Sequence, residues 1–133
     1  MIVVMDTNIF ISGIFWEGNE EKILDLCMDG EITNYTSPDI LEELDRVLHY
    51  NKFSLDKLEI ERILHIYISI SKIIVPQRIP DIMTEDPTDN KFIECAISSN
   101  ADYLLTGDKH LLEIRDDLDI KILKAVEFLK LIE

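Results

Sequence analysis

The strongest constraint on the fold is the alternation of short apolar runs with longer segments of helical periodicity. The apolar runs predict strands, at residues 2–5, 32–36, 72–75, 103–106 and 121–123. Helical spacing predicts helices at 20–29, 55–69, 89–98 and 125–132, one that starts at Ser37, and a helical turn at 108–113. Short apolar strands that alternate with helices favour an α/β fold, a parallel sheet with helices on both faces.

Local signals set several boundaries. Ser37 is a typical N-cap, and Pro38 fits the first helical position, where its missing N–H costs nothing. Gly30 ends the helix before it, and Pro76 and Pro80 predict a loop after the third strand. The apolar stripe of the helix at 55–69 consists of Leu58, Ile63, Ile66 and Ile70.

Length and composition predict a single domain over residues 1–133, because four glycines, four prolines and no repeat leave no linker. The apolar N-terminus is interrupted by Asp6 and has no preceding basic residue, so we expect no signal peptide and no membrane span. Cys27 and Cys95 lack the spacing of a zinc site, and we expect no structural zinc and no disulfide. These features predict a cytoplasmic protein.

The charge of the chain is strongly acidic. Thirteen Lys and Arg residues against 27 Asp and Glu residues give a formal net charge of −14. This balance argues against broad, sequence-independent binding of nucleic acid. An acidic protein that acts on nucleic acid must hold the phosphates locally, through divalent metal at an acidic cluster or through a few surrounding Lys and Arg residues.

Two acids directly follow predicted strands, at the sheet edge where sites form in parallel α/β folds. Asp6 follows the strand at 2–5, and Asp108 follows the strand at 103–106 after one glycine. Both also stand where a helix N-cap is expected, and capping alone explains an aspartate there. The sequence leaves both interpretations open.

Two further acids lie on predicted helices. Asp89 precedes Phe92 and Ile93 by three and four residues, so within a helix it faces the apolar stripe. A carboxylate there is costly unless something such as a metal ion compensates it. The alternative is that Asp89 is an N-cap outside the helix. Glu43 only borders the stripe of the helix that starts at Ser37, and on the residues alone a solvated position is the better explanation.

Motifs of other chemistries are absent from the sequence: it has no glycine-rich nucleotide loop, no serine nucleophile elbow and no paired-histidine zinc motif. His49, His65 and His110 are scattered, and His110 alone is close in sequence to a candidate acid. Clustered carboxylates without histidine or cysteine favour Mg²⁺ or Mn²⁺, cations that usually act on phosphates. The residues alone therefore predict metal-dependent phosphoryl chemistry.

Four sequence blocks together resemble the PIN domain family. They are VMDTN at 4–8, SPDILEEL at 37–44, DPTDNKF at 86–92 and ADYLLTGD at 101–108. They occur in order over nearly the whole chain, and the similarity is closest to prokaryotic PIN proteins that are toxins of toxin–antitoxin pairs, of the VapC type. The resemblance implies a three-layer α/β/α sandwich around a parallel sheet, and an endonuclease that cleaves RNA.

The resemblance also implies a site. It places the catalytic and metal-binding acids on Asp6, Glu43, Asp89 and Asp108. Asn8 and Thr106 fall where the family has polar neighbours of the metal, whereas Asp86 and Asp102 are not expected to bind it. The expected mechanism is hydrolysis of an RNA phosphodiester by water activated on one or two Mg²⁺ or Mn²⁺ ions, with Glu43 ligating or orienting that water.

The implied partners are an RNA substrate, an antitoxin protein and a second copy of the chain. Candidate phosphate contacts, by nearness in sequence, are Lys91, Lys109 and Arg115. The apolar region of Ile63, Ile66, Tyr67 and Ile70 is a candidate dimer surface, with ordinary core packing as the alternative. Two other functions remain open. One is a catalytically weak PIN-fold module that binds RNA or a basic partner protein, and the other is a metal-dependent phosphatase.

Overall fold

The computed structural model describes residues 1–79 and 86–133 and contains a five-stranded, fully parallel sheet. The strands are β1 (Ile2–Met5), β2 (Thr33–Thr36), β3 (Ser71–Ile73), β4 (Tyr103–Leu105) and β5 (Ile122–Leu123). All five occur where the sequence predicts them, and the α/β class with a central parallel sheet is confirmed. Pro80, predicted to lie in a loop, falls outside the described residues.

Seven α-helices flank the sheet in the described ranges, as an α/β/α fold requires. They are α1 (Thr7–Phe15), α2 (Asn19–Met28), α3 (Pro38–Leu48), α4 (Lys57–Ser69), α5 (Asn90–Ser98), α6 (Lys109–Glu113) and α7 (Ala125–Ile132). Six match predicted helices, but α1 was not predicted. Its sequence, TNIFISGIF, combines three β-branched isoleucines and a glycine with only a few small polar residues, so its helical periodicity is weak.

The strand order β3-β2-β1-β4-β5 places the apolar β1 in the middle of the sheet. Val3, Val4 and Met5 are almost fully buried there. From β1 the chain builds the sheet outwards through β2 to β3, and then crosses back to place β4 on the other side of β1. The direction of winding therefore changes between β1 and β4. Open parallel sheets bind ligands at this point, beyond the carboxyl ends of the two strands.

Helix α3 begins as predicted. The Ser37 side chain accepts a hydrogen bond from the Ile40 N–H at 3.3 Å, and Pro38 occupies the first turn. Ile40, Leu44 and Leu48 form its buried stripe. Because α3 packs against both α4 and α5, its polar side chains beside the stripe lie close to the start of α5.

Helix α4 corrects two expectations about its apolar residues. Leu58 was placed in the buried stripe but is 53% exposed, and Ile60 is buried instead. Ile63 and Tyr67, proposed as part of a dimer surface, are core residues of the single chain. The Tyr67 ring packs edge-on against Phe10, and its hydroxyl donates to a buried threonine of β2. The alternative of ordinary core packing is therefore correct for these two side chains.

No helix in the described part of the chain is long and apolar enough to cross a membrane. Cys27 and Cys95 are buried, free thiols. Burial raises the pKa of both thiols to about 12, so they remain protonated and unreactive at neutral pH.

Candidate metal centre

The four predicted acids converge on one cavity beyond the carboxyl ends of β1 and β4. Its volume is about 200 Å³. Its lining includes Asp6, Glu43, Asp89 and Asp108, together with Thr7, Asn8, Asp86 and Thr88. The change of winding direction brings these side chains together, although Asp6 and Asp108 are separated by most of the chain.

Asp6 both caps a helix and lines the cavity. Its Oδ1 accepts the Ile9 N–H at 2.8 Å as the N-cap of α1, and its Oδ2 accepts the Thr106 hydroxyl. The side chain is only 4% exposed. Burial raises the pKa of Asp6 to about 6, with smaller contributions from the charges of Asp108 and Glu43, while the two hydrogen bonds oppose the rise. The capping and site interpretations of Asp6 are therefore compatible.

Thr106 joins two of the acids. Its hydroxyl donates to Asp6 Oδ2 and accepts the backbone N–H of Asp108 at 2.9 Å. Asp108 in turn caps α6, because its Oδ1 accepts the N–H groups of His110 and Leu111 at 2.8 and 3.1 Å. Among the described residues Asp108 Oδ2 has no hydrogen-bond partner, so one of its oxygens is left for a ligand.

Asp89 is the least compensated acid of the site. It ends a 3₁₀ turn at Pro87–Asp89 and stands at the cap position of α5, yet its side chain caps nothing. It is 8% exposed, and its buried Oδ2 has no hydrogen-bond partner in the structure. Burial raises its pKa to about 6, and the negative charge of Asp108 adds to the rise. The N-cap alternative therefore does not account for this carboxylate.

Glu43 faces the cavity from α3 and has a partner on each oxygen. Its Oε2 accepts the Thr7 hydroxyl, and its Oε1 accepts Lys91 Nζ at 2.7 Å. The side chains of Glu43 and Lys91 are 17% and 14% exposed, so this ion pair is largely removed from water. The alternative of a freely solvated Glu43 is excluded.

Of the two neighbouring acids expected not to bind metal, one lies away from the cavity and the other lines it. Asp102 accepts the Ile2 N–H at 2.7 Å, at the opposite end of the strands from Asp108. Asp86 lines the rim of the cavity, where its Oδ1 accepts the N–H and the hydroxyl of Thr88 at 3.0 and 2.7 Å. These hydrogen bonds hold the pKa of Asp86 below its ordinary value.

The three candidate phosphate contacts lie in different surroundings. Lys91 is paired with Glu43 inside the site. Lys109 is exposed and lies 3.9 Å from Glu113, whereas Arg115 binds Glu127 at 3.0 Å and lines another cavity. Sequence reasoning missed Thr7, although its position directly after Asp6 was a usable signal.

The oxygen-rich donor set fits a hard divalent cation. Asp89, Asp108 and His110 each offer a ligand atom within 4.8 Å of the others. The unbonded Asp89 Oδ2 and the raised pKa values of Asp6 and Asp89 show that the site contains more carboxylate than its own hydrogen bonds compensate. A divalent cation would supply the missing charge, and oxygen ligands are typical of Mg²⁺ or Mn²⁺ sites.

Comparison with known proteins gives three findings. The family model described as PIN domain matches residues 2–110. An uncharacterized protein of Methanocaldococcus jannaschii is 41% identical over 119 residues, which cover 86% of this chain and 76% of that protein. The crystal structure of VapBC2 from Rickettsia felis bound to a DNA fragment from their promoter contains a similar chain, with a TM-score of 0.66 and 19% identity. That match covers 93% of this chain and 98% of the other, and it shows a shared fold.

Proposed function

The chain belongs to the PIN domain family, and from this premise we propose that it is a divalent-metal-dependent ribonuclease that hydrolyses RNA phosphodiester bonds. One observation carries the proposal: four carboxylates from distant parts of the sequence line one small cavity, and the buried Oδ2 of Asp89 has no partner there. Capping explains one oxygen of Asp6 and one of Asp108, but it leaves Asp89 and the convergence unexplained.

The residues of the cavity suit Mg²⁺ or Mn²⁺, and Asp6, Asp89 and Asp108 would hold the ion. A bound cation would lower the pKa of water and stabilise negative charge on the attacked phosphate. Its binding requires ionised carboxylates, and the raised pKa values of Asp6 and Asp89 mean that protons compete for the site at mildly acidic pH.

The remaining residues would orient the reacting groups. Glu43 is held by Thr7 and Lys91, and each of its oxygens keeps a second lone pair through which it would orient the attacking water. Lys91, held by Glu43 at 2.7 Å, places a positive charge beside the carboxylates, where the scissile phosphate would lie. Thr106 holds Asp6 in place through its hydroxyl.

RNA cleavage by the purified protein tests the proposal. Structured and unstructured RNAs are incubated with Mg²⁺, with Mn²⁺ and with EDTA, and Asp6→Asn and Asp89→Asn are compared with the exposed control Asp25→Asn. We expect metal-dependent cleavage that both site variants reduce by about a hundredfold or more, since several kcal/mol of charge stabilisation is lost. Cleavage that survives both substitutions would show that another protein in the preparation is responsible.

The proposal extends to a toxin role in a toxin–antitoxin pair, in the cytoplasm. The Rickettsia felis structure is that of VapBC2, and the net charge of −14 on this chain suits a basic partner segment. Co-expression with a protein encoded beside it, followed by copurification, tests the pairing. Two copies of the chain would also pair, and a contact through α4 would use the exposed Leu58 and Ile68, since Ile63 and Tyr67 are buried.

A second candidate function is a PIN module that binds a partner or RNA with little cleavage of its own. The observation that favours it is the ion pair between Glu43 and Lys91, because it neutralises the carboxylate that would act on the water. Metal binding detected by calorimetry, without cleavage of any RNA tested, would support this function over the nuclease.

A further inference from the structure

A second depression adjoins the proposed metal centre, and basic as well as acidic side chains line it. It has a volume of about 560 Å³, and Thr88 lines both this groove and the metal-site cavity. Arg46, Arg78 and Lys91 also line it. The acids Asp39, Glu42 and Glu94 line it too. Because the whole chain has 13 Lys and Arg residues against 27 Asp and Glu residues, a groove in which bases equal acids in number is a local exception.

Two of these cations form no ion pair in the described part of the chain, although acids also line the groove. In those ranges Arg46 and Arg78 form no ion pair, whereas Lys91, Lys109 and Arg115 each lie within 4.0 Å of a carboxylate. Both arginines are exposed. A guanidinium in an open groove that is not paired with an acid keeps its donors for a phosphate, which it binds through two parallel hydrogen bonds.

The backbone that carries Arg78 is fixed along α5 by contacts on both sides of it. The Gln77 N–H donates to Ser98 Oγ at 3.2 Å, and the Ile79 N–H donates to Glu94 Oε2 at 2.8 Å. Glu94, although it lines the groove, is therefore used by the segment that presents Arg78. The backbone around Arg78 is therefore held in place along the same groove that Arg46 of α3 lines.

The size of the metal-site cavity shows why a groove beside it is needed. At about 200 Å³ the cavity is smaller than the roughly 300–1,000 Å³ of typical small-molecule sites. It has room for a cation and a phosphate group but not for the nucleosides on either side. An RNA strand cleaved there must continue over the surface. The adjoining groove shares Thr88 with the cavity and is also lined by Lys91, so it offers cations for the next phosphates of the strand.

We propose that this groove is the binding track for single-stranded RNA, in which Arg46 and Arg78 contact backbone phosphates next to the scissile one. The proposal rests on the ribonuclease function and names the path of its substrate. It also explains how a chain of net charge −14 holds a polyanion. Asp39 and Glu42, exposed acids that line the α3 side, would weaken binding and keep it dependent on the two arginines.

The test measures RNA binding and cleavage in Arg46→Ala, Arg78→Ala and the double variant, with Arg62→Ala on α4 as a matched exposed arginine outside the groove. Binding of a fluorescein-labelled single-stranded RNA is titrated over a range of salt concentrations in the Asp89→Asn background, which blocks cleavage. Each phosphate contact contributes about 0.7 to the salt slope for single strands, or about fivefold in affinity near 0.1 M salt.

We expect each arginine variant to weaken binding about fivefold and to lower the salt slope by about 0.7. In the double variant the two losses of affinity should multiply, to about 25-fold, and the two slope changes should add, to about 1.4. In cleavage, KM should rise more than kcat falls. Glu42→Gln should lower the Kd for RNA, because it removes a repulsive charge from the groove. Arg62→Ala should change neither the Kd nor the salt slope.

If the unmodified protein cleaves RNA and the double variant matches Arg62→Ala in KM and salt slope, the groove proposal is wrong and the ribonuclease function stands. If the unmodified protein neither binds nor cleaves RNA, both fail together. Weaker binding of a partner protein by the double variant, with RNA binding unchanged, would reassign the groove to a protein partner and overturn the proposal.

Discussion

Replacing the Asp89 carboxylate by an amide should stabilise the metal-free protein, and more so at neutral than at acidic pH. The structure buries Asp89 and leaves Oδ2 without a partner, which raises its pKa from 3.8 to about 6. Between these two pKa values the folded state holds a proton that the unfolded chain has lost. Stability conferred by that proton therefore falls as the pH rises.

The size of the effect follows from the shift. Above about pH 7 the ionised Asp89 costs the fold about 3 kcal/mol, from a shift of about two units at 1.36 kcal/mol each. Near pH 5 most of the folded protein still holds the proton, and the cost is about 1.6 kcal/mol. Burying the amide of the variant also costs free energy, but this cost does not depend on pH, so it cancels when the values at pH 5 and about pH 7.5 are compared. Relative to the unmodified protein, the variant should gain about 1.4 kcal/mol from pH 5 to about pH 7.5.

Urea unfolding followed by circular dichroism, in EDTA, measures this gain at the two pH values. Asp25→Asn, which removes an exposed carboxylate from α2, corrects for the loss of one negative charge from an acidic chain. If the difference in free energy of unfolding between Asp89→Asn and the unmodified protein is the same at both pH values, the reasoning is refuted. It would mean that the carboxylate is hydrated or paired in solution.

Three further predictions concern the supports of the site and the core. Thr106→Val should lower the free energy of unfolding by about 1–3 kcal/mol and weaken Mn²⁺ binding in calorimetry, because Asp6 loses a donor in a buried position; unchanged metal affinity would speak against a supporting role. Gly13→Ala should destabilise the fold by about 1–3 kcal/mol in thermal unfolding, since a Cβ there would lie 2.6 Å from Leu24 Cδ1. Tyr67→Phe should cost about 1 kcal/mol in the same assay, by loss of its hydroxyl hydrogen bond, and should leave RNA cleavage unchanged.

Much of the fold was predictable because its local signals agree with the tertiary structure. The apolar strand at the N-terminus lies where its pattern places it, and Ser37 caps α3 as predicted. Helix α1 was missed because its amphipathic periodicity is weak and its isoleucines and glycine have low helix propensity, so burial in the tertiary structure decides its conformation. Leu58 was misjudged on α4 because periodicity does not say which side of a helix meets its neighbours, whereas core packing, the alternative given for Tyr67, is correct.

The sequence by itself determined the edge of the sheet at which the acids meet. Asp6 and Asp108 each follow a strand, and parallel strands necessarily end at the same edge. The tertiary structure alone decided the state of the other groups: the unpartnered oxygen of Asp89, the pairing of Glu43 with Lys91, and the groove that the arginines line. These depend on how α3, α5 and the segment at 77–79 pack together, and packing between distant segments leaves no periodic trace in the sequence.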